Sequence, residues 1–196
     1  MTVRQRILKL IYPLAMLKAK LFSKHALVLT NNKNVSPLIS FYSLQATLNN
    51  TTILNFEILK NKKVLIVNTA SNCGYTAQYN ELEKLYQLYK NNLIILAFPA
   101  NNFKEQEKEN DKAIANFCKT NYPISFTLMQ KSNVIKTETQ NNVFNWLSHA
   151  NKNGWCNQPP VWNFCKYLIN EKGVLTHYFN TGISPLNKKI VTAIKQ

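Results

Sequence analysis

The residue best placed for chemistry in this 196-residue chain is Cys73, in the stretch Asn68-Thr69-Ala70-Ser71-Asn72-Cys73-Gly74-Tyr75-Thr76. It follows Lys63–Asn68, an aliphatic and β-branched run that reads as a strand buried on both faces. It precedes residues 76–89, where Tyr79, Leu82, Leu85 and Tyr89 share one helical face. Active sites of open α/β sheets gather at the carboxyl ends of strands. A cysteine at a helix N-terminus meets unpaired N–H groups and the positive end of the dipole. Both favour the thiolate, which is the nucleophilic form. Cys73-x-x-Thr76 has the spacing of a redox Cys-x-x-Cys pair without its second cysteine. On position alone, Cys73 reads equally as a reactive thiolate or as a small residue packed at a loop–helix junction. The other cysteines, at 118, 156 and 165, make no paired Cys-x-x-Cys, which argues against both a disulfide scaffold and a structural zinc site.

The elements that must position Cys73 are legible around it. Leu93–Phe98 predicts a second buried strand, completing a right-handed βαβ unit. Upstream, Phe41–Thr47 and Thr52–Glu57 predict a hairpin. Downstream, Asp111 predicts the cap of a helix over 112–119. A short strand over Phe126–Met129, a helix from Asn141 to Leu147 and a hairpin of Tyr167–Asn170 with Val174–Phe179 follow. Pro185 predicts the start of a last helix ending near Ile194. This order predicts an α/β fold: a mixed central sheet flanked by helices. Residues 3–24 predict a basic amphipathic helical arm. Ile7, Leu10, Ile11, Leu14, Leu17 and Leu21 fall on one arc, with Arg6, Lys9, Lys20 and Lys24 opposite. Lys18 interrupts the arc, and Pro13 predicts a kink or break. Residues 31–37 predict a linker, dividing a 1–37 extension from a 38–196 domain.

Lys and Arg number 24 against nine acids, giving a net charge of +15. Residues 1–56 hold Arg4, Arg6, Lys9, Lys18, Lys20, Lys24 and Lys33 and no acid at all. The basic residues are dispersed and no nucleic-acid-binding motif accompanies them, so a nucleic-acid adaptor is the weaker reading. The uncharged run Leu10–Leu17 is far short of the roughly 20 residues of a spanning helix. No clear cleavage site marks a signal peptide. A cytoplasmic location is the expectation. The arm reads with equal weight as a peripheral membrane contact suited to anionic headgroups, or as a helix packed on its own domain.

Three stretches, in this order and spacing, resemble the signatures of the glutathione peroxidases: Asn68–Tyr79, Phe98–Glu107 and Trp162-Asn163-Phe164-x-Lys166-Tyr167-Leu168. The resemblance covers about residues 40–196. It implies a thioredoxin-like fold and a peroxidatic Cys73 surrounded by Gln106, Trp162 and Asn163. Amide and indole N–H groups donate to a thiolate without neutralising it, and they stabilise charge on a departing oxygen. The implied reaction is attack of Cys73 on the O–O bond of H2O2 or an organic or lipid hydroperoxide, leaving a sulfenic acid. A second thiol then forms a disulfide, which a reductant opens. The segment Ile114–Cys118, followed by Asn121–Phe126, resembles the one holding the resolving cysteine of thioredoxin-dependent members, which implies Cys118 in that role. A disulfide tolerates Cα atoms only about 4.4–6.8 Å apart, so closure requires partial unwinding near 112–119. Cys156 is a weaker candidate, and Cys165 reads as structural.

The chain departs from the family at Ala100, Asn102 and Lys104, where Cys, Gln and Gly are usual, and at Lys108-Glu109, where Pro-Gly is common. Only 33 positions separate Met129 from Trp162. That segment lacks the insertion of tetrameric, glutathione-specific members. The resemblance therefore implies a monomer with no prosthetic cofactor, using thioredoxin as reducing co-substrate. The alternative is a membrane-anchored lipid hydroperoxide peroxidase using glutathione.

Overall fold

The computed structural model describes residues 1–21 and 27–196; the expected end of the arm at residues 22–24 lies outside them. The strands are β1 (Val28–Thr30), β2 (Gln45–Thr47), β3 (Ile53–Asn55), β4 (Lys63–Thr69), β5 (Leu93–Pro99), β6 (Thr127–Leu128), β7 (Lys166–Ile169) and β8 (Leu175–Phe179). The helices are α1 (Val3–Leu21), α2 (Gln78–Tyr89), α3 (Asp111–Asn121), α4 (Asn142–Leu147), α5 (Ala150–Asn153) and α6 (Lys188–Lys195). Strands β2 and β3 pair as a separate antiparallel hairpin. The others form one sheet in the order β1-β8-β7-β4-β5-β6. Strands β4 and β5 pair in parallel, while β7 runs antiparallel to β4, so the sheet is mixed as expected.

Every residue of β4 is buried, because helices cover both faces of the sheet. Val64 and Ile66 enter one core with Phe144, Trp146 and Leu147 of α4. Leu65 and Val67 enter the other, with Leu82 and Leu85 of α2, Ile114 of α3 and Ile190 of α6. Each such aliphatic side chain contributes about 1.5–3 kcal/mol by leaving water. The continuous apolar run follows from having no solvent face at all.

Several boundaries differ from the sequence reading. Asn110, not Asp111, caps α3, its Oδ1 accepting the Ala113 N–H at 2.9 Å. The Asp111 carboxylate instead accepts the Lys131 N–H at 2.7 Å. The last helix is capped by Asn187 rather than opened by Pro185. Strand β1, which pairs with β8, and the short α5 were not anticipated. Strand β1 lies on the N-terminal side of the expected boundary at 37/38. Within the expected linker, Asn31 is buried, and its Nδ2 donates to the carbonyls of Val35 and Leu175.

Helix α1 runs unbroken through Pro13 and packs on the domain. Gln5 Nε2 donates to the Ser71 carbonyl at 3.1 Å. Lys9 Nζ sits 4.9 Å from the centre of the Tyr122 ring. The hydroxyl of buried Tyr12 donates to Glu81 at 3.0 Å. Met16 meets the side chain of Gln78. No helix among the described residues is long and apolar enough to cross a membrane.

Candidate active site

Cys73 lies in the loop that leaves the carboxyl end of β4 and is only 1% exposed. Helix α2 begins at Gln78, five positions later, so the sulfur does not sit at its first turn as the sequence suggested. The intervening residues form tight turns, with the Thr76 N–H donating to the Cys73 carbonyl and the Gln78 N–H to that of Tyr75. This turn folds a main-chain donor back onto the sulfur: the Tyr75 N–H lies 3.4 Å from Cys73 Sγ. The Gly74 N–H and the side chains of Asn163 and Trp162 also lie near enough to favour its thiolate. Burial pushes the Cys73 thiol above its ordinary value; the Tyr75, Asn163, Trp162 and Gly74 donors pull it back.

The structure thus brings three of the four expected groups together at the sulfur and attaches the fourth to them. Gln106 is partly buried, and its Oε1 accepts from Asn163 Nδ2 at 2.9 Å. Its carbonyl accepts the Asn72 N–H at 3.0 Å, tying its loop to that of Cys73. Gln106 therefore reaches the sulfur through Asn163. Trp162 packs on Phe103, ring centres 5.6 Å apart, with Lys104 Nζ 5.9 Å from its ring. Lys104 holds a φ of 50°, in the left-handed region that favours glycine.

A set of buried polar residues that the sequence reading left without a role braces this arrangement. Asn68 Nδ2 donates to the Trp162 carbonyl at 2.9 Å, and Asn68 Oδ1 accepts the Cys165 N–H at 3.0 Å. The Asn68 carbonyl accepts the Phe164 N–H at 2.6 Å. Asn68, by side chain and main chain together, thereby fixes the 162–165 turn, in which Phe164 adopts a φ of 65°. Beneath it, Thr181 Oγ1 donates to the Asn163 carbonyl at 2.8 Å. Fully buried Lys166 donates to the carbonyls of Ile183 and Thr181, and burial lowers its ammonium to about 7. The available signal was a polar residue ending, and a lysine beginning, strands that are otherwise apolar.

Cys118 is also 1% exposed and lies on α3 in the same core as Cys73. Burial pushes its thiol up to about 12, with the nearby Tyr79 hydroxyl opposing the shift. Cys156 and Cys165 lie in the opposite core, across the sheet. Cys165 Sγ accepts from the Tyr178 hydroxyl at 3.3 Å. All four thiols are free.

Glu107, next to Gln106, is buried. Its Oε2 accepts from both the N–H and the hydroxyl of Ser71, at 2.8 and 3.0 Å. Burial raises its carboxyl to about 7, despite the Ser71 bonds and the charge of Lys131; Glu109 adds a small push in the same direction. The folded state therefore holds a proton that the unfolded chain releases near the ordinary value of 4.5. The stability this confers is full below 4.5 and is lost as pH rises to about 7. Glu107→Gln is expected to abolish that dependence. Urea unfolding should show the variant gaining on the wild type by up to about 3 kcal/mol between pH 4.5 and 8. Parallel curves for the two proteins would contradict it.

Comparison with known proteins agrees with this geometry. The family described as glutathione peroxidase matches residues 41–148. A glutathione peroxidase-like peroxiredoxin of Chlamydomonas reinhardtii is 40% identical over 146 residues, covering 74% of this chain and 89% of the relative. Glutathione peroxidase-like peroxiredoxin 2 of Saccharomyces cerevisiae is 38% identical over 148 residues, covering 74% and 90%. Among solved structures, apo Trgpx superposes with a TM-score of 0.62 at 31% identity, covering 81% of this chain and 97% of that one. With motifs, fold and site geometry in agreement, the chain belongs to the glutathione peroxidase family.

Proposed function

We propose that this chain is a cysteine peroxidase in which Cys73 reduces hydroperoxides, Cys118 resolves the product and thioredoxin restores both thiols. The observation that carries this reading is a buried sulfur that accepts the Tyr75 N–H and has Asn163 and Trp162 beside it, with a second buried thiol in the same core. The Cys73 thiolate attacks one peroxide oxygen, and the O–O bond breaks. The other oxygen leaves with its electron pair, takes a proton and departs as water or alcohol. Cys73 is oxidised to the sulfenic acid. Trp162 and Asn163 hold the thiolate, and Gln106 orients Asn163. Asn163 Oδ1, buried without a hydrogen-bond partner among the described residues, is available to the peroxide O–H. The Cys118 thiol then displaces the sulfenic oxygen as water, forming the Cys73–Cys118 disulfide, and a dithiol reductant reduces it by exchange.

The sheet supports this assignment, because it separates Cys156 and Cys165 from the core that Cys73 and Cys118 share. We take residues 38–196 as the catalytic domain and 1–37 as an extension that lends it β1. The short segment between Met129 and Trp162 supports a monomer, and the four free thiols support a reducing, cytoplasmic compartment. Peripheral membrane contact through the arm is supported by apolar side chains that α1 turns outward. NADPH-coupled turnover of H2O2 with thioredoxin or glutathione tests the reductant. Turnover should saturate with thioredoxin and stay near background with glutathione. The opposite preference would overturn thioredoxin as donor.

A further inference from the structure

Helix α1 is amphipathic in the reverse of the usual sense. Its inward residues, Gln5, Lys9, Tyr12 and Met16, recur at helical spacing and bond the domain. On the opposite side lie Val3, Ile7, Leu10, Leu14 and Leu17, all exposed, with Leu10 at 79% and Leu14 at 63%. A helix that has found its seat on a domain ordinarily buries its apolar stripe there. Here the seat is made by polar and mixed side chains, and an aliphatic stripe running roughly 21 Å along the axis is left in water. Helical geometry puts Arg6 at one edge of that stripe, rather than opposite it as expected, and Arg4 beyond the other edge. Arg4 and Arg6 are exposed, and no acid occurs before Glu57. Aliphatic side chains between arginines, with no carboxylate nearby, match a surface whose headgroups are negative and whose interior is hydrocarbon.

We propose that α1 is a two-faced adaptor, its outer stripe seated on an anionic lipid bilayer while its inner stripe stays on the peroxidase domain. This rests on the membrane contact inferred for the arm, and adds which face makes it, which lipids it takes and what happens to the inner contacts. Because Gln5 bonds the carbonyl of Ser71, two positions before Cys73, the adaptor holds that loop about one helix diameter, roughly 10 Å, from the bilayer boundary. The peroxidase then works as a body of fixed orientation at the membrane surface instead of swinging on a tether.

Flotation of the full chain with vesicles tests the proposal. One set is pure phosphatidylcholine, and the other contains roughly 30% phosphatidylserine. The wild type should float with the anionic vesicles and stay behind with the neutral ones. Leu10→Glu/Leu14→Glu should bind about a hundredfold more weakly, with H2O2 turnover unchanged. Amide exchange on the anionic vesicles should leave residues 71–82 and 121–123, beneath the inner stripe, as protected as in free protein. No flotation of the wild type overturns the membrane contact itself. Flotation that survives the double substitution leaves that contact standing but overturns the outer stripe as its source. Equal binding to neutral vesicles overturns the anionic preference. Exposure of residues 71–82 on binding shows that the helix peels away, which overturns the adaptor alone. A vesicle-free dimer in light scattering that the double substitution dissociates makes a second copy the occupant and overturns the lipid assignment.

Discussion

Cys73→Ser is expected to bring peroxide turnover to background with any reductant, a loss on the order of 10³-fold or more. Cys118→Ser is expected to stop turnover at a different point. A serine hydroxyl at 73 keeps the shape of the loop and the donors of Tyr75, Asn163 and Trp162, but is not ionised at neutral pH and attacks O–O bonds poorly. At position 118 the substitution leaves the peroxidatic centre intact, since none of its donors comes from α3. One equivalent of H2O2 should therefore still oxidise Cys73 at the wild-type rate. The sulfenic acid should then persist and be trapped by dimedone, while thioredoxin-supported turnover collapses. Full thioredoxin-supported activity in Cys118→Ser would remove its resolving role, and turnover surviving in Cys73→Ser would sink the peroxidase reading.

The second large effect is expected at Asn163. Its side chain lies beside the Cys73 sulfur, where it favours the thiolate, and donates to Gln106 Oε1, so Asn163→Ala removes one donor and detaches another residue from the site. Loss of a single donor to developing charge slows reactions by about 10²–10³-fold. The rate of Cys73 oxidation by H2O2 should fall by about that factor. The pH at which Cys73 becomes reactive toward iodoacetamide should rise, because burial is then opposed by fewer hydrogen bonds. A purely structural role would lower the melting temperature without moving that pH profile. A profile that stays in place, together with full reactivity, would show that Tyr75, Gly74 and Trp162 suffice.

Most of the fold could be read from the chain because its centre is unusually uniform. Strands β4 and β5 are buried on both faces and carry little but aliphatic residues, so their identity did not depend on distant context. Cys73, Gln106, Trp162 and Asn163 stood in motifs whose order and spacing located the site. The rest depended on tertiary contacts that no local pattern records. Strand β1 is three residues at a sheet edge, too short for periodicity to register. Asn110 and Asp111 are both competent caps, and Asp111 is drawn away by the Lys131 N–H. Asn68 looked like the polar end of a strand, whereas it holds the 162–165 turn by four hydrogen bonds. Periodicity showed that α1 is two-sided, but not which side packs. That was settled by partners such as Ser71, Glu81 and Tyr122, far away in sequence.

Both thiols of the proposed disulfide are enclosed in one core, and Tyr122, which ends α3, lies under Lys9 of the arm. Under that proposal, a catalytic round includes a brief local melting: α3 loosens, delivers its cysteine, and re-forms once the disulfide is reduced. The tightness of α3 then acts as a clock on the sulfenic acid. A looser helix closes the disulfide sooner but erodes resting stability. A tighter one leaves the oxidised sulfur waiting, open to a second peroxide and the irreversible sulfinic state. In these terms the packing of one helix sets how much oxidant the protein survives.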